Sequence, residues 1–264
     1  MIIIGEKINA TLSSVKSIIL NRETENLVDL AKKQVESGAN FIDVNVGTGV
    51  GSLEDEIDSM QWAVESIQEQ INTPICIDSA DPKVMETGLK IQNNKPAMIN
   101  SVKAEKSNLE AIVPLAAEHD SFLIALAMDE SGIPTTVDGR LRCCDTILGA
   151  CERHGVSIQN LYIDPLVMPV STDINSGMVT LRTLTAIKEK FPGAKTVTGL
   201  SNVSYGLPER SRLNVAYLHM CIFAGLDAAI IDPLDKTLMD AVKTGEVLAG
   251  KDRHCRRYMR SFRK

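Results

Sequence analysis

The sequence reads as a single (β/α)8 barrel of the α/β class. Three observations carry that reading: eight short apolar runs spaced by longer amphipathic stretches, 264 residues with no linker-like or low-complexity break, and a core vocabulary poor in aromatics. Alternating strand and helix patterns imply a parallel sheet. Eight units in a chain near the ~250 residues usual for one barrel favour closure over an open sheet. Apolar residues make up 44% of the chain and aromatics only 4%. The core must then be built from Ile, Val, Leu, Ala and Met, which suits strands buried on both faces.

The runs follow in order, and all but the fifth, which ends near Met128, end on or lead into polar residues. Ile2–Ile4 leads into Glu6 and Asn9, and Phe41–Val46 carries Asp43-Val44-Asn45. Ile75–Asp78 ends Asp78-Ser79, and Ala97–Asn100 ends Asn100-Ser101. Phe122–Met128 is followed by Leu161–Asp164, which ends Asp164-Pro165. Thr196–Leu200 leads to Ser201-Asn202, and Ala228–Ile231 to Asp232-Pro233. Between them, Leu27–Gly38, Leu53–Ile71, Asn108–His119, Thr146–His154 and Arg212–Gly225 show helical patterns. Gly38, Gly155 and Gly225 stand where a helix C-terminus wants glycine. In this fold the C-terminal strand ends surround the active site, so a ring of carboxylates and carboxamides is expected at one mouth.

Net charge is −6, which offers no basic stripe for nucleic acid. No apolar run approaches the ~18 residues of a membrane span, and Met1–Ile4 is too short for a signal segment. A cytoplasmic protein is expected, with its six cysteines as reduced thiols and no structural metal, since no C-x-x-C occurs. Residues 1–250 are assigned to the barrel. Residues 251–264, with seven Lys/Arg and one Asp, form a basic C-terminal tail read as a solvated terminal helix or extension.

Asp78, Asn100, Asp164 and Asn202 come from four strand ends and suit one flat ligand. Carboxylates accept N–H donors, and a carboxamide both donates and accepts. A pterin ring offers an N–H and an amino group to acceptors and a carbonyl to donors. His119, His154, His219 and His254 all fall on predicted helices or the tail, so none is placed for a triad or a metal site. Gly47-Thr48-Gly49-Val50-Gly51 resembles a dinucleotide loop, but Ser52 stands in place of the third glycine. It is read as a flexible loop at the mouth, able to act as a lid. No D-x-H-x-x-G motif for a self-held corrinoid occurs.

These strand ends carry a resemblance. Ile4-Gly5-Glu6-Lys7-Ile8-Asn9, Asp43-Val44-Asn45-Val46-Gly47, Cys76-Ile77-Asp78-Ser79, Met98-Ile99-Asn100-Ser101, Tyr162-Ile163-Asp164-Pro165 and Gly199-Leu200-Ser201-Asn202-Val203-Ser204 together resemble the pterin-binding methyltransferases. That family includes the methyltetrahydrofolate:corrinoid/iron–sulfur protein methyltransferase of acetogens and the folate module of cobalamin-dependent methionine synthase. It also includes the tetrahydrofolate methyltransferases of anaerobic glycine betaine and aryl ether demethylation. The resemblance covers nearly the whole chain. It implies that Asp78, Asn100 and Asp164 bond the pterin ring, that Glu6 and Asn9 line the folate site, and that Asn202 reaches N5. Arg210 matches an Arg that helps to enclose the folate. Tyr205 stands where the acetogen enzyme has Gln, a position expected to face the corrinoid.

The activity implied is methyl transfer between N5 of tetrahydrofolate and the cobalt of a corrinoid carried by a separate protein, in a homodimer. Asn202 and Asp78 are the expected catalytic residues, with no tightly bound metal. Two alternatives stay open. A dihydropteroate synthase shares the barrel, but needs cationic groups where Ser201-Asn202-Val203-Ser204 and Ile231-Asp232-Pro233 stand. A non-catalytic folate-binding subunit would keep the acceptors without needing Asn202.

Overall fold

The computed structural model describes residues 1–93 and 96–263; Lys264 of the basic tail lies outside them. The strands are β1 (Ile2–Asn9), β2 (Phe41–Asn45), β3 (Ile75–Asp78), β4 (Met98–Lys103), β5 (Phe122–Leu126), β6 (Leu161–Asp164), β7 (Lys195–Thr196) and β8 (Ala228–Ile231). They pair in parallel, each with its sequence neighbour, and β1 pairs with β8. The seam between β7 and β8 is joined by Ile230 N donating to Thr198 O at 3.0 Å and by a parallel bridge between Gly199 and Ile230. The chain is thus a (β/α)8 barrel.

Each strand position sends one buried side chain to the axis: Ile4, Phe41, Cys76, Met98, Ile124, Tyr162, Val197 and Ala228 form one cluster. Phe41, Phe122 and Tyr162 meet edge to face within it, and the Lys195 ammonium lies 4.8 Å from the Tyr162 ring centre. Parallel strands need helical crossovers. These are α1 (Ser13–Leu20), α2 (Thr24–Glu36), α3 (Leu53–Gln68), α4 (Pro82–Ile91), α5 (Lys106–Glu118), α6 (Val137–Arg153), α7 (Ser176–Lys190), α8 (Arg210–Phe223) and α9 (Lys236–Leu248). The outward strand residues and the inward helix stripes form the second apolar layer. At Gly88 that layer is so close that a Cβ would meet Ile77 Cδ1 at 2.8 Å. A last helix, α10 (Arg256–Phe262), follows a single 3-10 turn after α9.

Several boundaries differ from the sequence expectation, each for a local reason. β1 continues five residues past Ile4, through polar Glu6 and Lys7, because its register shifts between Gly5 and Ile8. Such a bulge leaves a backbone group off the ladder; here Gln34 Oε1 of α2 accepts Lys7 N at 3.0 Å. Only glycine at position 5 leaves room for it, since a Cβ there would meet Gln34 Oε1 at 2.5 Å. β7 is shorter than expected, because Leu200–Ser204 turns into a 3-10 helix. α6 begins nine residues before Thr146, at Val137, where the Thr136 side chain caps it by accepting Gly139 N. That first turn is polar in sequence, so periodicity alone hides it.

The glycine-rich loop after β2 resolves as turn chemistry. Gly49 and Gly51 have φ of 67° and 97°. Ser52 then caps α3 in a reciprocal box with Asp55, which is why a hydroxyl rather than a third glycine is wanted there.

Candidate functional site

Two bulges aim side chains into the mouth. One lies on β1 between Gly5 and Ile8, and the other on β4 between Asn100 and Val102. Bulges re-aim side chains in this way near active sites. The first presents Glu6 and Lys7, and the second follows Asn100, whose peptide bond to Ser101 is cis.

A continuous polar cluster runs across β1 to β4. Asn45 Nδ2 donates to Asp78 Oδ2 at 3.0 Å, and Asn100 Nδ2 donates to Asp43 Oδ1 at 3.3 Å. The Asn45 side-chain Oδ1 accepts Gly47 N at 3.1 Å, which fixes the amide's orientation. Asp43 is buried, and burial raises its pKa well above the carboxylate range; the adjacent Asp78 carboxylate raises it further. Asp78 is raised too, chiefly by burial, with its bonds to Asn45 and Asp43 opposing. Two such carboxyls hold one proton between them more readily than none. Beneath them the Cys76 thiol is pushed up by burial and by both acids, so it stays protonated.

Glu6 sits beside this pair. Burial, then the Asp232 charge, raises its pKa to about 7, while Lys7 and Arg210 pull the other way. Lys7 is engaged by Asp232, Nζ to Oδ2 at 3.0 Å. Asn9 pairs in the ladder with Asn45, but its side-chain oxygen accepts Thr11 N and Thr11 Oγ1 at 2.9 and 2.7 Å. It therefore serves the β1–α1 turn, at the C-terminal end of β1.

Across the mouth, Asp164 ends β6. Its Oδ1 accepts Leu166 N at 2.7 Å, and burial lifts its pKa to about 6 against the Leu166 and Gly199 N–H groups and the Arg140 charge. Asn202 lies on the 3-10 turn after β7, exposed, with no side-chain partner among the described residues and no direct hydrogen bond to the carboxylate cluster. Arg210, the first residue of α8, folds back onto that turn: its Nη2 donates to Ser201 O at 2.8 Å and its Nε to Ser204 Oγ at 3.1 Å. Tyr205 is 64% exposed on the rim, its carbonyl held by Ser171 Oγ at 2.7 Å.

The mouth therefore gathers Glu6, Asp78, Asn100 and Asp164 as acceptors and donors around a floor of apolar side chains. Asp43 and Asn45 belong to the same cluster. The sequence motif held both, but position alone did not separate a site aspartate from a loop-fixing one. The four histidines lie elsewhere: His119 and His154 end α5 and α6, His219 bonds Ala241 O from α8, and His254 lies in the turn before α10. An apolar groove, about 970 Å3, opens on the flank between α7, α8 and α9. Its acids are Glu189 and Asp227, the latter paired with Lys188, and it holds no carboxamide; the convergent carboxylates and carboxamides place the candidate site at the mouth.

A family model described as pterin binding enzyme matches residues 5–232. The chain belongs to that family. All the strands from Gly5 onward to β8 lie in the matched span, as do all the predicted pterin contacts. Among characterised relatives of this pterin-binding chain, a methylcorrinoid:tetrahydrofolate methyltransferase of Eubacterium limosum is 35% identical over 265 residues, covering 100% of this chain and 96% of that one. A methionine synthase of Mycobacterium tuberculosis is 30% identical over 244 residues, covering 88% of this chain but 20% of that protein. Solved dihydropteroate synthases share the fold. One from Vibrio fischeri superposes with a TM-score of 0.71 at 19% identity, covering 95% of this chain and 93% of that one. Another, from Yersinia pestis, gives 0.70 at 16%, covering 86% and 90%.

Proposed function

We propose that this enzyme transfers a methyl group between a corrinoid held by a separate protein and N5 of tetrahydrofolate. The end-to-end match to the Eubacterium methyltransferase carries the proposal. The donor is a methylcorrinoid, the sense in which that relative is named. No helix among the described residues is long and apolar enough to cross a membrane, and we assign the enzyme to the cytoplasm as a homodimer. Residues 1–250 form the pterin-binding unit and 251–264 its basic extension.

In this reading Asp78, Asn100 and Asp164 hold the amino-pyrimidinone edge. Glu6 and Asn9 line the folate site, Arg210 closes over it and Tyr205 faces the arriving corrinoid. N5 attacks the methyl carbon in line: the N5–CH3 bond forms, the cobalt–carbon bond breaks with its electron pair left on cobalt, and N5 releases a proton. Asn202 aims the N5 lone pair, so much of its contribution is orientation. An amide is no general base, so the proton passes by water to the Asp43–Asp78 pair, whose raised affinity for protons suits that task. In the reverse direction the same pair supplies the proton that makes N5 a leaving group.

The dihydropteroate synthase reading requires free cations for a diphosphate. The mouth's Lys7 is paired with Asp232 and Arg210 is bound to Ser201 and Ser204, which favours methyl transfer. Calorimetric titration with tetrahydrofolate and methyltetrahydrofolate, followed by addition of methylcobalamin and its visible spectrum, tests the proposal. Folate binding with folate-dependent loss of the methylcobalamin spectrum is the expected result. Absence of folate binding refutes it.

A further inference from the structure

Arg140 lies in the first turn of α6 and is 2% exposed. A buried guanidinium is costly unless its N–H groups find acceptors. Its Nε donates to Pro134 O at 3.0 Å, and its Nη1 donates to Leu166 O at 2.9 Å and to Thr180 Oγ1 at 3.1 Å. The Thr180 hydroxyl also reaches the Leu166 carbonyl, at 2.9 Å. Leu166 itself has a φ of 67°, a left-handed conformation that a non-glycine residue seldom takes without support. Its N–H is the group that holds Asp164 Oδ1 at 2.7 Å. The contacts form one chain from Arg140, through a backbone turn that needs holding, to a carboxylate at the mouth.

We propose that Arg140 is a positioning residue for pterin recognition: by locking Leu166 it fixes the aim of the Asp164 carboxylate and leaves that group's remaining acceptor positions for the ring N–H donors. The inference rests on the assignment of Asp164 to the pterin edge. The guanidinium also faces Asp164 electrostatically and opposes the effect of burial on it. The other titratable groups facing this pair are Tyr217 and Cys221 of α8, both kept neutral by burial, the thiol at about 12.

The test uses the whole chain with R140M, R140K, T180V and D164N, each titrated with tetrahydrofolate between roughly pH 5 and pH 8, with circular dichroism to verify folding. R140M is expected to weaken folate binding by about tenfold and to move the pH midpoint of binding upward, because a positive charge near Asp164 is gone. Turnover at saturating folate should stay within about threefold, the mark of a lost binding contribution. R140K should restore the midpoint but not the affinity, since an ammonium lacks the fork that spans two carbonyls and a hydroxyl. T180V should weaken binding less and leave the midpoint in place. A folded R140M with wild-type affinity and midpoint overturns the proposal; if R140M does not fold, wild-type affinity in both R140K and T180V does so. D164N separates the two levels of the argument. Unchanged folate affinity in D164N sinks the site assignment itself, whereas a loss in D164N without any loss in the Arg140 and Thr180 variants sinks this inference alone.

Discussion

Glu6→Gln should stabilise the ligand-free protein at neutral pH. Burial and the Asp232 charge lift the Glu6 pKa from an ordinary 4.5 to about 7. A group raised in the folded state contributes stability that is present below its unfolded pKa and lost as pH climbs through the folded one. For Glu6 that window runs from 4.5 to about 7. At 1.36 kcal/mol for each pH decade, the loss is about 3 kcal/mol across the window. Glutamine keeps the shape and never ionises, so the variant escapes the loss. The difference in unfolding free energy between Glu6→Gln and wild type should therefore grow by about 3 kcal/mol between acid and neutral pH. For a chain of this size that corresponds to roughly 5 °C in Tm. Urea titrations at matched pH values measure it, and the acid sensitivity of groups not coupled to Glu6 cancels in the difference. A difference that stays flat across the window, or a variant less stable than wild type only at neutral pH, would refute the reasoning.

Three further outcomes are expected. Asn202→Ala should cut turnover on the order of 10²-fold through lost orientation while tetrahydrofolate affinity by calorimetry stays near wild type; wild-type turnover would remove Asn202 from the mechanism. Folate affinity should fall as pH drops through about 6, where Asp164 takes up its proton and ceases to accept the ring N–H groups; pH-independent binding over that range contradicts the assignment. Tyr162→Phe should raise Tm, since the buried Tyr162 hydroxyl has no hydrogen-bond partner among the described residues and its removal relieves about 1 kcal/mol of desolvation cost; a lowered Tm means that the hydroxyl is satisfied.

The fold was legible because its signal is repetitive. β3, β6 and β8 occupy the spans the apolar runs predict, Ile75–Asp78, Leu161–Asp164 and Ala228–Ile231, since both faces of each are buried and no polar residue interrupts them. β1 was half hidden, because the residues that make it useful, Glu6 and Lys7, are polar and sit on a bulge. The candidate site was proposed from the same signal in reverse: a carboxylate or carboxamide closing an apolar run stands out. Arg140 gave no such signal. It lies on a helix, far in sequence from Asp164, and its importance comes only from a backbone carbonyl that folding brings to it.

The acids of the mouth explain why such a site needs a barrel. Asp43, Asp78, Glu6 and Asp164 all have raised pKa values, and burial is the first cause in every one. Each is therefore a destabilising element in the ligand-free protein at neutral pH, tolerated because the eight-strand core and the helix layer beneath carry the stability. A ring that donates N–H groups to those carboxylates would favour their charged forms and recover part of that cost on binding. Discrimination follows from the same arrangement. A flat ligand without donors at those positions would leave buried acceptors unpaired, and unpaired buried acceptors reject an analogue more strongly than a missing apolar contact does. Pteridines lacking the amino group should accordingly bind far more weakly than tetrahydrofolate, and the deficit should shrink as pH falls through about 6 and Asp164 becomes neutral.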